Sequence, residues 1–309
     1  MAFCSPSGEK NFEKDNTCFS QTALERLVKN WNDTHPTNKI SKKKDGAKLS
    51  KKELWKELNK RMSSQCDGSG KEFCWVDKLG AAKKDPLVTK ELRPVKPNEW
   101  YKKPYAWLSN YDIEAVMEQY QDDDSFKYQF LGVYPIDFEA KDAFGNCLFT
   151  EICHINIANL YKKGIRYIGL ITNLDKHDQS GSHWTSLFAC IDPSKSCFGA
   201  YYYDSVSRQP PPEITNFMEK IKKQSLTLVK GTTREFRIDY NENKHQYGNS
   251  ECGVFSMAYQ IRWLDKLKKN PNITFEQIEK IKTNDAKIHK LRNVLFRPNT
   301  TALKKKTAT

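Results

Sequence analysis

No stretch of the 309-residue chain approaches the ~20 consecutive apolar residues that a membrane helix needs. Membrane insertion is therefore not expected. The opening, MAFCSPSGEKNFEKD, lacks the positive-then-apolar layout of a signal peptide, which points to a soluble protein made in a cytosolic setting. Internal repeats and long low-complexity tracts are missing as well. No two cysteines form a C-x2-C pair, and the tightest cluster, Cys147, Cys153 and His154, is too open for the usual zinc spacings. Neither a metal nor a cofactor is expected. Nine cysteines is an odd number for a disulfide framework, and without an export signal most are expected to be reduced thiols.

What is present begins with size and charge. The chain can hold one core of about 200 residues and an accessory part, but scarcely a second full domain. Its aromatic content of 12% supports a packed core. The net charge of +13 is uneven: residues 1–100 carry 21 − 14 = +7, residues 101–260 carry 17 − 20 = −3, and residues 261–309 carry 13 − 4 = +9. Basic ends of this kind attract DNA and other polyanions through counterion release, without sequence specificity.

Two amphipathic helices are expected in the basic N-terminal part. In SQTALERLVKNW, Ser20 can cap, and Leu24, Leu27, Val28 and Trp31 share a face; in SKKELWKELNKRM, Ser50 and Glu53 suit a capping box ahead of Leu54, Leu58 and Met62. Pro86, Pro94, Pro97 and Pro104 then interrupt the chain and place a boundary near residue 100. The division expected is a helical arm over 1–100, a catalytic domain over 101–298 and a flexible basic tail over 299–309.

Beyond the boundary, WLSNYDIEAVMEQY reads as a helix capped by Ser109 or Asn110. Five strand-like runs follow, FLGVYPIDF, IRYIGLIT, HWTSLFACI, CFGAYYYDS and REFRIDY, rich in aromatic and β-branched residues. Helices are expected at PPEITNFMEKIKKQ, at ECGVFSMAYQIRWLDKLKK and, as one piece, at TFEQIEKIKTNDAKIHKLRNV. A central hairpin with helices segregated around it indicates an α+β fold.

Four residues on these elements suit nucleophilic catalysis. Pairing Ile191 with Cys197 across the turn DPSKS sets His183 opposite position 205. Asp204 is then within one residue of it, and a bulge or register change would bring the two level. A carboxylate so placed fixes the tautomer of an imidazole and stabilises its cation. In HQYGNSECGVFSMAYQ, Cys252 stands where a polar loop meets an uncharged helix, and a helix N-terminus favours the nucleophilic thiolate. Gln246 can return its amide toward that thiol and, with the Cys252 N–H, bind a developing oxyanion. Gly253 is expected to leave room for substrate. His154, His177, His245 and Asp192 are rivals without an equally suitable partner.

The segments HW at 183–184, YYDS at 202–205 and QYGNSECG at 246–253 resemble the cysteine proteases of the SUMO-protease and adenovirus-maturation-protease type. Those enzymes carry a papain-like site in permuted chain order, and WLSNYDI resembles the helix that opens their catalytic domain. The resemblance implies Cys252 as nucleophile, His183 as base and then acid, Asp204 as its orienting carboxylate and Gln246 as oxyanion donor. It further implies that Trp107 and Trp184 confine a Gly-Gly segment of a polypeptide substrate. The position before the nucleophile departs from the pattern, with Glu251 where cellular members usually have aspartate.

CFSQTALERLVKNWN, SKKELWKEL and CWV resemble the arm of the core proteases of poxviruses and asfarviruses. That branch implies cleavage of structural precursors during virion maturation, in the virion and the host-cell cytoplasm. Removal of ubiquitin-like modifiers, and non-enzymatic nucleic-acid binding, stay open as alternatives.

Overall fold

The central strands are buried along nearly their whole length, and their successive side chains feed two cores in turn. The computed structural model describes residues 3–43, 45–66, 72–228 and 234–300. It divides into two compact units, Met1–Pro104 with Asn293–Thr309, and Tyr105–Arg292.

The first unit holds helices α1 (Pro6–Asp15), α2 (Gln21–Thr34), α3 (Lys51–Met62), α4 (Phe73–Lys78) and α5 (Pro86–Thr89). Ser20 caps α2, which buries Ala23, Leu24, Leu27 and Trp31. Ser50 and Glu53 form a full capping box on α3, whose buried face is Leu54, Leu58 and Met62. Both helices start where their sequence signals place them. Disulfides Cys4–Cys18 and Cys66–Cys74 lie in this unit and Cys147–Cys153 in the other. This corrects the expectation of mostly reduced thiols. The Cα separations of 5.2, 5.8 and 6.3 Å are those a bridge can span, and Cys190, Cys197 and Cys252 are the free thiols.

The C-terminal chain groups with this first unit from Asn293 onward. Arg297 donates its N–H to the Pro94 carbonyl and accepts from the Lys96 N–H, each at 2.8 Å. Its guanidinium meets Asp77 at 3.1 Å, both side chains being buried. Thr300 donates to Asp77 at 2.7 Å. The remainder of the expected flexible tail, residues 301–309, lies outside the described residues.

The second unit is built on a five-stranded sheet of order β1-β2-β3-β4-β5, with β1 (Tyr128–Pro135), β2 (Tyr167–Asn173), β3 (Trp184–Cys190), β4 (Gly199–Tyr203) and β5 (Arg237–Tyr240). The β2–β3 and β3–β4 pairs are antiparallel, while the outer pairs β1–β2 and β4–β5 are parallel. The helices are α6 (Asn110–Gln121), α7 (Thr150–Cys153), α8 (Ile157–Lys162), α9 (Pro212–Ser225), α10 (Cys252–Lys269), α11 (Phe275–Glu279) and α12 (Asp285–Leu295). Ser109, not Asn110, caps α6, in a box with Asp112.

Leu187, Ala189, Ala200 and Tyr202 join Phe217, Met218 and Ile221 of α9 in one core. Their neighbours Phe188 and Tyr201 point the other way and stack on Trp263 of α10, while Tyr203 stacks on Tyr259. That is the period-two alternation of a sheet covered on both faces.

One polar contact fixes the height of α10 on this sheet. Gln260, fully buried, donates to Ser186 Oγ at 2.8 Å and to the Leu170 carbonyl at 3.0 Å. Its Oε1 accepts from the Tyr128 hydroxyl. Gly169 makes the space, since a Cβ there would meet both Gln260 Oε1 and the Tyr128 hydroxyl. The N-terminus of α10 is thereby held at the level of the β3 start.

Candidate active site

Cys252 is the first residue of α10 and is 3% exposed. His183 immediately precedes β3, and Asp204 immediately follows β4. The hairpin register is Ser186↔Tyr203 and Leu187↔Tyr202, one residue away from the pairing read in the sequence. The pair meets all the same, because both residues stand just past the paired ladder, where side chains are no longer committed to its pleat. His183 Nε2 and Asp204 Oδ1 are 2.7 Å apart.

The Asp204 carboxylate is itself held. Its Oδ1 also accepts from the Val206 N–H at 2.9 Å. Buried Asn241 grips its backbone in both directions, accepting from the Asp204 N–H and donating to the Asp204 carbonyl, each at 2.8 Å. Nε2 is turned to Asp204, and Cys252 is near enough to His183 to act on the charge of the ring. Burial pulls the imidazolium down, but the hydrogen bonds and charges of Asp204 and Cys252 outweigh it and push His183 up to about 9. The ring is therefore an imidazolium at neutral pH.

Gln246 is buried and its amide has one orientation. Ser205 donates to its Oε1 at 2.6 Å, and its Nε2 donates to the Gly248 carbonyl at 2.9 Å. An amide nitrogen has two hydrogens, so a second N–H remains for an incoming oxygen. Glu251, buried ahead of the thiol, takes His289 Nδ1 on one oxygen at 2.7 Å and Arg292 Nη2 on the other at 2.9 Å.

Gly253 admits Trp184: a Cβ there would lie 3.1 Å from Trp184 Cδ1, with Leu108 and Ile113 close behind. The Trp184 indole donates to the Leu108 carbonyl at 3.2 Å, and Ser256 of α10 donates to the Trp184 carbonyl at 3.1 Å. Trp107 is 52% exposed and donates to the Asn249 carbonyl at 3.0 Å. Both tryptophans line one cleft of about 550 Å³ with Leu108, Val133, Tyr134 and Asn173.

The rivals lie elsewhere. His177 pairs with Asp137 at 2.6 Å, Asp192 with Arg166 at 3.3 Å, and His245 with the Tyr203 hydroxyl at 3.1 Å. His154 caps α7 and is exposed. Cys190 is a poor nucleophile, because burial and the neighbouring Cys197 push its thiol up. Among the described residues no group of three or more His, Cys, Asp or Glu is placed to hold a metal ion, and no helix is long and apolar enough to cross a membrane. Sequence reading missed Asn241, Ser205 and the α12 residues on Glu251, for none of which does spacing along the chain offer a signal.

A mixed sheet, a buried helix opening on a cysteine and a histidine brought in from a hairpin are the parts of a papain-like α+β protease, and the chain is a cysteine protease. Its relatives say which kind. A putative thiol protease of Acanthamoeba polyphaga mimivirus is 28% identical over 314 residues, covering 96% of this chain and 94% of the relative. A cysteine protease of African swine fever virus is 24% identical over 283 residues, covering 85% of this chain and 93% of the relative. The counterpart from another isolate, of the same identity and coverage, is described as a SUMO-1 cysteine protease. A crystal structure of an African swine fever virus protease superposes with a TM-score of 0.63 at 18% identity, over 96% of each chain. No family model matches the sequence. The chain is thus similar to viral thiol proteases of the SUMO-protease-like kind.

Proposed function

We propose that this protein is an endopeptidase that cleaves viral structural precursors at Gly-Gly-X sites during particle maturation, with Cys252 as nucleophile. The observation that carries it is a histidine gripped by Asp204 on one nitrogen, near enough to the Cys252 thiol at a helix N-terminus for each to act on the other's charge. In this reading the Cys252 thiolate attacks the scissile carbonyl, forming an S–C bond. The carbonyl electron pair moves to oxygen and is stabilised by the Gln246 amide and the Cys252 N–H. The His183 imidazolium then gives its proton to the leaving amine as the C–N bond breaks, leaving a thioester. Neutral His183 next takes a proton from water, whose oxygen attacks the thioester carbon and releases the thiolate and the carboxylic acid.

Glycine on the acyl side of the scissile bond is supported by the two tryptophans of the cleft. Trp184 packs on Gly253 directly beside the thiol, and Trp107 stands in the same cleft, anchored to the loop that carries Gln246. A strand without side chains passes such a constriction most easily. Relatives of nearly the same length that are thiol and cysteine proteases of viruses support a viral polypeptide substrate, and in this reading the enzyme acts in the virion and host-cell cytoplasm. The basic chain ends support weak DNA binding inside a particle.

Incubation with a Gly-Gly peptide carrying a thiol-directed electrophile, followed by mass spectrometry, tests the assignment. Modification of Cys252 is expected, and modification of Cys190 or Cys197 instead would overturn it. A second reading, an isopeptidase acting on ubiquitin-like modifiers, is favoured by the description of one relative as a SUMO-1 cysteine protease. Faster reaction with a SUMO C-terminal electrophile than with the Gly-Gly peptide would select it.

A further inference from the structure

Helix α12 places Asp285, His289 and Arg292 at i, i+4 and i+7, the spacing of one helical face. All three side chains end on the five-residue segment between Gln246 and Cys252. The two oxygens of Asp285 accept the backbone N–H of Tyr247 at 2.9 Å and of Gly248 at 3.3 Å. His289 and Arg292 hold the two oxygens of Glu251, and Arg292 also donates to the Ala106 carbonyl at 2.7 Å. Trp107 holds the Asn249 carbonyl of the same segment. Tyr247, Gly248, Asn249 and Glu251 are each tied by a side chain from outside the loop.

The loop has little else to keep it in shape. It contains a glycine, forms no regular structure and leaves Tyr247 77% exposed. Glu251 makes no side-chain cap to α10, since its carboxylate is spent on α12. The Gln246 amide bonds to the Gly248 carbonyl, so whatever fixes the peptide unit at Gly248 also fixes the direction of the Gln246 N–H groups. Asp285 is the group that does so, as a charged acceptor facing two adjacent backbone donors. Such bonds are stronger than neutral ones.

We propose that Asp285 is a positioning residue for the oxyanion-binding loop. Its carboxylate sets the Tyr247–Gly248 backbone so that the Gln246 amide faces the oxygen of the reacting carbonyl, while His289 and Arg292 hold the Cys252 end of the same segment. The proposal rests on the reading of Cys252 and Gln246 as nucleophile and oxyanion donor. It assigns to α12 a part in the chemistry that goes beyond covering the sheet.

The test compares the full chain with Asp285→Ala and Asp285→Asn by two reactions. One is hydrolysis of a fluorogenic Gly-Gly peptide, which builds an oxyanion; the other is alkylation of Cys252 by iodoacetamide, which does not. Asp285→Ala is expected to lower kcat by about 10- to 100-fold, a part of the ~10²- to 10³-fold that loss of an oxyanion donor costs, with KM changed less than about 3-fold. A Gly-Gly peptide aldehyde, bound as a hemithioacetal, should weaken by a similar factor. Iodoacetamide alkylation should change by less than about 2-fold. Asp285→Asn keeps one acceptor and should fall between wild type and Asp285→Ala. Unchanged kcat in Asp285→Ala, or an equal loss of alkylation and hydrolysis in both variants, would overturn the proposal. Failure of the catalytic reading shows separately, as wild-type protein that is not alkylated at Cys252.

Discussion

At the scale of single residues, the His183 imidazolium is the sensitive element. Its affinity for a proton is raised to about 9 by Asp204 and the Cys252 thiol against the pull of burial. The imidazolium therefore loses its proton as pH rises through about 9, and kcat/KM for a Gly-Gly peptide is expected to fall there. The same shift is a stability statement: the folded value exceeds the unfolded one of about 6.5, so the contribution is complete below about 6.5 and is lost as pH climbs to about 9. Asp204→Asn removes the neighbouring charge. It should move the alkaline limb down by about 1 to 3 pH units and cut kcat by up to about 10⁴-fold, read from a pH–rate profile. Gln246→Ala should cost about 10²- to 10³-fold in kcat while leaving the profile in place. The meeting of His183 with Asp204 was legible in the sequence because residues flanking one tight turn are near each other in almost any register. The Asn241 clamp was not, since it arrives through a separate parallel strand whose place in the sheet no local pattern records.

Secondary-structure elements were legible wherever local chemistry decides them. Ser20, Ser50 and Ser109 mark helix starts that the structure reproduces, and all five strand runs became strands. The run from Thr274 to Val294 was not one helix. It breaks into α11 and α12, because Asn284 turns its side-chain oxygen to the Lys287 N–H at 3.0 Å and starts the second helix anew. This break presents Asp285 at the head of α12, so the misread boundary hid a residue of the loop's support. The contact between α10 and the sheet yields a prediction at this scale. In Gly169→Ala the new methyl would occupy the space of the Gln260 amide and the Tyr128 hydroxyl. Overpacking of this kind costs about 1 to 3 kcal/mol. A lowered midpoint in urea is expected, together with slower Cys252 alkylation as α10 lifts from β3. An unchanged midpoint would mean that Gln260 does not pin the helix.

For the molecule as a whole, the sequence sets total charge and thiol number but not how they are distributed in space. Cysteine spacing leaves disulfide connectivity open, and the return of the chain from Asn293 to the first unit has no signature in composition. Three bridges and three free cysteines give a direct check. Protein purified without reductant and then denatured should titrate three thiols, rising to nine after reduction. A count of nine before reduction would remove the bridges. Charge leads to the last expectation. Residues 261–309 carry +9, and Lys304, Lys305 and Lys306 contribute three of those charges in one run. If the basic ends bind DNA by counterion release, the logarithm of affinity falls linearly with the logarithm of salt, by about 0.9 per phosphate neutralised. Replacing the three lysines by glutamine should flatten that slope by up to about 2.7 and weaken binding most at low salt. Peptide hydrolysis in the absence of DNA should not change, since none of the three is among the residues proposed to carry the chemistry. A slope indifferent to the triple replacement would move DNA binding away from the C-terminal end and onto the basic residues of the first hundred positions.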